Sequence, residues 1–195
     1  MAGGRLFYTG RSRADGGELQ RIGVADSDDL THWTRAGLLL GADARWYAPQ
    51  AWRDPYVVRD PGGDGWHMLI CAGPVIGHAR SADLAEWEIG PPLTARAGVT
   101  AMEVPRVAEI GGAFVLMYSG DRRVWVAPGE SLVGPWDVDA ARPLEHPSLY
   151  AANFVRAGDE WAVLGFRDIE DGRFVGEITD PIPLARDGRT VRLAS

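Results

Sequence analysis

Short apolar or alternating runs, broken by Gly, Pro, Asp and Ser, recur along the chain, and helical periodicity is almost absent. The pattern predicts strands and turns throughout. Four apolar runs mark a period: Leu6 to Gly10, Met68 to Gly73, Val115 to Gly120 and Val163 to Phe166. Each is expected to be the inner strand of its unit. A second strand follows in each case, at Ile22 to Ala25, Ile76 to Ala79, Val124 to Ala127 and Phe174 to Ile178. After the first two comes the same Ser-x-Asp-Leu-x-x-Trp string, Ser27 to Trp33 and Ser81 to Trp87, with a relaxed form from Ser131 to Trp136. Units of roughly 45 to 55 residues with about four short strands each are the signature of β-propeller blades. The expected fold is therefore all-β, a single propeller domain over residues 1–195 with about four blades of short antiparallel strands.

Composition narrows the partners. The chain has 195 residues, 46% hydrophobic and 24% charged, enough to bury a core without staples. A net charge of -7 argues against nucleic acid or an anionic membrane surface and suits a neutral ligand such as a sugar. Cys71, the single cysteine, sits in an apolar run and is expected to be a small core residue. Met1 to Gly10 holds no apolar leader stretch and no run reaches the length of a membrane span, so the chain as given is expected to be cytoplasmic. His32, His67, His78 and His146 show no metal-ligand spacing, and there is no G-x-S-x-G, phosphate-loop or dinucleotide motif. No metal and no cofactor are expected.

Carboxylate chemistry remains. Trp52-Arg53-Asp54-Pro55 and Met102-Glu103-Val104-Pro105 each open a strand-like run, and the following proline fixes the direction in which the chain enters it. Either motif alone is ordinary turn chemistry. Their corresponding places in the repeat predict that Asp54 and Glu103 converge on neighbouring innermost strands. Trp33, Trp87 and Trp136 recur with the repeat and are expected to pack between blades. Trp46 and Trp52 do not recur; lying with Tyr47 ahead of Asp54, they are candidates for sugar-stacking platforms.

Phe7-Tyr8-Thr9-Gly10, Ser27 to Trp33, Trp52 to Pro55, Ser81 to Trp87 and Met102 to Pro105, in that order, resemble glycoside hydrolase family 32. This is the β-fructosidase family of invertases, levanases and inulinases. The resemblance implies a five-bladed β-propeller. It implies that Asp54 binds fructosyl hydroxyls and stabilises the transition state, that Glu103 is the general acid/base, and that Arg53 is an orienting or sugar-binding cation beside them. It also implies a nucleophilic aspartate in an Asn-Asp-Pro motif on a first blade. This sequence has no Asn-Asp-Pro and opens at what would be the second blade, and neither Asp60-Pro61 nor Asp180-Pro181 matches in position, so the nucleophile is unassigned.

The expected function is hydrolysis of β-fructofuranosides of the sucrose, levan or inulin type. A retaining enzyme of this kind needs an acid, a nucleophile about 5 Å from it, and stabilisation of an oxocarbenium-like state. One alternative is a family 43-like arabinosidase or xylosidase of the same clan, suggested by Gly134-Pro135-Trp136 and Ile178 to Pro181. Another is a non-catalytic carbohydrate-binding propeller, suggested by the absent nucleophile motif. The partner in each is a small carbohydrate, and the oligomeric state is left open.

Overall fold

The protein is described here by a computed structural model covering residues 4–194; Met1 to Gly3 and Ser195, part of the domain read from the sequence, lie outside the described residues. Sheet I holds β1 (Gly4–Arg11), β2 (Gln20–Ser27) and β3 (Thr34–Gly41). Sheet II holds β4 (Arg53–Arg59), β5 (Trp66–Cys71), β6 (Ile76–Ser81) and β7 (Glu88–Gly90). Sheet III holds β8 (Glu103–Ile110), β9 (Ala113–Gly120), β10 (Arg123–Gly129) and β11 (Arg142–Pro143). Sheet IV holds β12 (Leu149–Ala157), β13 (Glu160–Glu170), β14 (Arg173–Ile178), β15 (Ile182–Asp187) and β16 (Thr190–Leu193), with both β14 and β15 paired to β13. Every pairing is antiparallel, and the four sheets form a four-bladed β-propeller arrangement.

Alternation along the strands builds the cores between sheets. Met68 and Ile70 face sheet I, where they bury Ile22, Tyr47 and Trp52, while Leu69 between them joins Val107, Leu116 and Tyr118 on the side of sheet III. Val115 and Met117 point the other way, into a third cluster with Leu149, Ala152 and Val163 of sheet IV. A strand with a core on each face must be apolar at every position, which is why these runs read as continuous hydrophobic segments. Sheets I and IV each use one face in such a cluster. On sheet I, Leu6 and Leu38 are 48% and 55% exposed, and on sheet IV, Phe174 and Ile178 are 68% and 67% exposed.

One expectation is corrected. The apolar runs at Leu6, Met68, Val115 and Val163 lie on β1, β5, β9 and β13, and β5, β9 and β13 are second in their sheets. The first strands are β4, β8 and β12, which carry more polar side chains because they line a shared centre. Matching the Ser-x-Asp-Leu strings aligns β2 with β6, hence β1 with β5. Among the described residues, sheet I therefore has no counterpart of β4.

The repeated string is a corner built by two side chains. Ser81 Oγ accepts from the backbone N–H groups of Leu84 (2.8 Å) and Asp83 (3.2 Å), and Asp83 Oδ1 from those of Ala85 (2.8 Å) and Glu86 (3.0 Å). Leu84 sits in the left-handed region at φ 65°. Ser27, Asp29 and Leu30 (φ 62°) repeat the arrangement. These amide groups have no ladder partner at the corner, so the string is preserved by backbone satisfaction. Ser81→Ala should cost about 1 kcal/mol in denaturant unfolding, the usual effect of losing such a cap.

The tryptophans sort less simply than their spacing suggests. Trp87 meets Phe7 edge-on at 5.6 Å, and Trp136 is buried between sheets II and III. Trp33 is 40% exposed, because its sheet has an uncovered face. His67 and His78 are buried and stacked on β5 and β6 with Nδ1 of His67 2.8 Å from Nε2 of His78, and His67 Nε2 2.9 Å from Asp60. Burial pushes the His78 pKa down to about 4.

Candidate active site

The first strands of sheets II, III and IV share one irregularity. Their register with the second strand slips between Arg53 and Tyr56, between Glu103 and Arg106, and between Tyr150 and Asn153. In each slip the residue after the first has positive φ: Asp54 at 56°, Val104 at 49° and Ala151 at 47°. Only glycine adopts this region readily, and a β-branched valine there is strained, a pattern that clusters at functional sites. The bulge re-aims the preceding side chain. Arg53, Glu103 and Tyr150 are thus equivalent residues on three successive sheets, and they touch in sequence around the centre.

Arg53 Nη2 donates to Glu103 Oε1 at 2.7 Å, and the hydroxyl of Tyr150 donates to Glu103 Oε2. Arg53 Nη1 also donates to Gln20 Oε1 at 3.3 Å, and its Nε lies 3.8 Å from Asp54 Oδ2. Asp54 Oδ2 accepts from the backbone N–H of Val104 at 3.2 Å. The bulges are fixed from behind by small hydroxyls on second strands: Thr9 Oγ1 accepts from the Asp54 N–H at 2.9 Å, and Ser119 Oγ from the Ala151 N–H at 2.9 Å. Cys71 holds the register position of Thr9 and Ser119 in sheet II, buried, its thiol pushed up to about 12 chiefly by burial. It is a core residue as expected.

The side chains of Arg53, Asp54 and Glu103 are 21%, 27% and 29% exposed, sheltered yet open to a small ligand. Burial raises the Asp54 carboxyl above its usual value, opposed first by the Val104 N–H and then by Arg53. An acid with a raised folded pKa gives stability that is present below its unfolded pKa and lost as pH climbs through the folded one. Asp54→Asn should therefore melt higher than the wild type at pH 7, the gap closing below about pH 3.9, where both side chains are neutral. An unchanged gap across that range would contradict this assignment of strain to the Asp54 charge.

The expected pair is thus brought together with Arg53, and two sequence candidates are not. Trp52 has no exposed surface; it packs on Tyr47 at 4.7 Å and over Gly77, where an added Cβ would lie 2.7 Å from its ring. It has no face to offer a sugar. Trp46 is exposed and, among the described residues, its side chain makes no hydrogen bond or ring contact with Arg53, Asp54 or Glu103. Tyr150, Thr9 and Ser119 were missed. The signal for Tyr150 was spacing alone: Tyr150-Ala151-Ala152-Asn153 keeps the frame of Arg53 to Tyr56 with alanine in place of the proline.

No protein-family model matches the chain, and no curated protein sequence matches it. Its fold is similar to part of solved β-fructofuranosidases and fructan or inulin hydrolases. A Bombyx mori GH32 β-fructofuranosidase mutant in complex with sucrose superposes with a TM-score of 0.78 at 19% identity, over 98% of this chain and 48% of that one. Fructan 1-exohydrolase IIa from Cichorium intybus gives 0.75 at 14% identity, over 95% and 42%. Exo-inulinase from Aspergillus awamori gives 0.72 at 17% identity, over 97% and 47%. The chain spans about half the length of these structures.

Proposed function

We propose that the chain carries the acid/base and sugar-orienting part of a β-fructofuranoside-cleaving site. The observation that supports it most is the placing of Asp54 and Glu103 on corresponding bulges of neighbouring first strands, joined through Arg53. Glu103 would protonate the leaving oxygen, and Asp54, held by the Val104 N–H, would face the ring hydroxyls and the charge that develops on the sugar. Arg53 keeps the two carboxylates apart in orientation while partly offsetting both. The structural neighbours include proteins solved with sucrose and with 1-kestose, which favours a fructosyl substrate.

Binding without turnover is the second reading. It is favoured because the cluster holds two carboxylates and because donors occupy both oxygens of Glu103. Assay of sugar release from sucrose, inulin and levan against arabinan and xylan separates these readings. Fructose release from the first three alone supports the proposal, release from the last two moves the assignment to a family 43-like activity, and fructoside binding without release supports the second.

A further inference from the structure

A second layer lies about 7 Å further along the first strands, two paired positions beyond Arg53, Glu103 and Tyr150. It is made of the residues that resume the register after each bulge: Tyr56, Arg106 and Asn153. They too touch in order. The Arg106 guanidinium lies 4.8 Å from the centre of the Tyr56 ring, and its Nε donates to Asn153 Oδ1. Its Nη1 donates to the Pro105 carbonyl at 2.8 Å, and its Nη2 has no protein partner among the described residues. Asn153 is exposed and Tyr56 and Arg106 are half-buried, so the layer is open to a ligand.

What sets Arg106 apart is its charge balance. Arg53 faces Glu103 at 2.7 Å and Asp54 at 3.8 Å. Arg106 has no carboxylate within ion-pairing reach among the described residues, only an amide, a carbonyl and a ring. Those groups orient a guanidinium without neutralising it, and a partly desolvated cation without a counter-charge is costly. Burial pulls its pKa down, opposed by Tyr56 and Asp54, yet an arginine keeps its proton. A stacked, planar guanidinium with a free edge is the geometry that receives an oxyanion.

Resting on the sugar-binding reading above, we propose that Arg106, oriented by Tyr56 and Asn153, binds an oxyanion carried by the substrate, so that the preferred ligand is an anionic furanoside bearing a phosphate or a carboxylate. Asp54 stays compatible with this because Arg53 and the Val104 N–H already hold it. The ring would lie against Asp54 and Glu103, with its anionic group reaching inward to Arg106.

The test is calorimetric titration of the whole chain with fructose, fructose 6-phosphate, D-fructuronate and inorganic phosphate, repeated for Arg106→Gln and Arg106→Lys. Fructose 6-phosphate or fructuronate should bind at least about tenfold tighter than fructose, as charge-assisted bonds warrant, and which does so identifies the anion. The preference should vanish in R106Q, persist reduced in R106K, and weaken with salt. Should R106Q fail to fold, the wild-type preference, its salt dependence and R106K decide. Fructose binding with no preference for the charged sugars, or a preference that survives in R106Q, overturns the anion assignment alone. Phosphate binding as tightly as fructose 6-phosphate in R106Q also overturns it. Absence of binding by every sugar overturns this assignment and the sugar site together.

Discussion

Glu103→Gln is expected to lower cleavage of β-fructofuranosides by about 10²–10⁴-fold, the range spanned by loss of a general acid/base, while fructose affinity stays within about threefold. The geometry explains the separation. Glutamine keeps an oxygen for Arg53 Nη2, which lies 2.7 Å from Oε1 in the wild type. Its amide can donate to the Tyr150 oxygen if that hydroxyl turns to accept, so the shape of the cluster survives without a transferable proton. The loss should therefore appear in kcat, with KM little changed. Equal activity in E103Q and wild type would remove Glu103 from the chemistry. If the wild type binds fructosides without cleaving them, unchanged affinity in E103Q is what the binding-only reading requires.

The largest effect on stability is expected at Trp52. Truncating a fully buried aromatic leaves a cavity the backbone closes only in part, and Trp52→Ala should cost about 3–5 kcal/mol. For a chain of this size each kcal/mol shifts Tm by about 2–4 °C, so a fall of roughly 6–20 °C is expected by calorimetry. The site lies between sheets I and II, where the ring covers Gly77 and meets Tyr47, Ile22 and Met68. Its Nε1 is buried without a hydrogen-bond partner, so Trp52→Phe should lose much less, keeping ring area while removing an orphan donor. A Tm change of only a degree or two in W52A, with loss of sugar binding, would return Trp52 to the role of a stacking platform.

The all-β architecture was legible because its physical cause is written in the period. Strands with a core on each face must be apolar throughout, as Met68 to Cys71 and Val115 to Tyr118 are, and corners need Ser and Asp at fixed spacing to satisfy free amides. The apolar runs at Met68, Val115 and Val163 form second strands, because the innermost strands, those that Asp54 and Glu103 open, border a wet centre and are the more polar. Asp54 and Glu103 stood out because proline marks their bulges. Tyr150 and Asn153 did not, since Ala151 and Ala152 leave no mark in the sequence although the backbone takes the same turn. Trp52 lies in the core because the short 3-10 turn Pro49–Ala51 ends on it, ahead of β4, and packs its ring against Tyr47 and Gly77, whereas Arg53, the first residue of β4, turns to the centre. Contacts such as Arg106 on Tyr56 join sheets far apart in sequence, and no local pattern encodes them.

A furanoside is expected to bind where Arg53, Glu103 and Tyr150 meet. The most direct measurement is a ¹H–¹⁵N titration of the chain with fructose and sucrose, following the amides of Asp54, Val104 and Ala151, which lie at the three bulges and donate to Thr9, Asp54 and Ser119. Saturable shifts concentrated at these amides are expected, absent with arabinose and abolished by Arg53→Met. Shifts confined to the outer strands, or none at the bulges at saturating sugar, would contradict it.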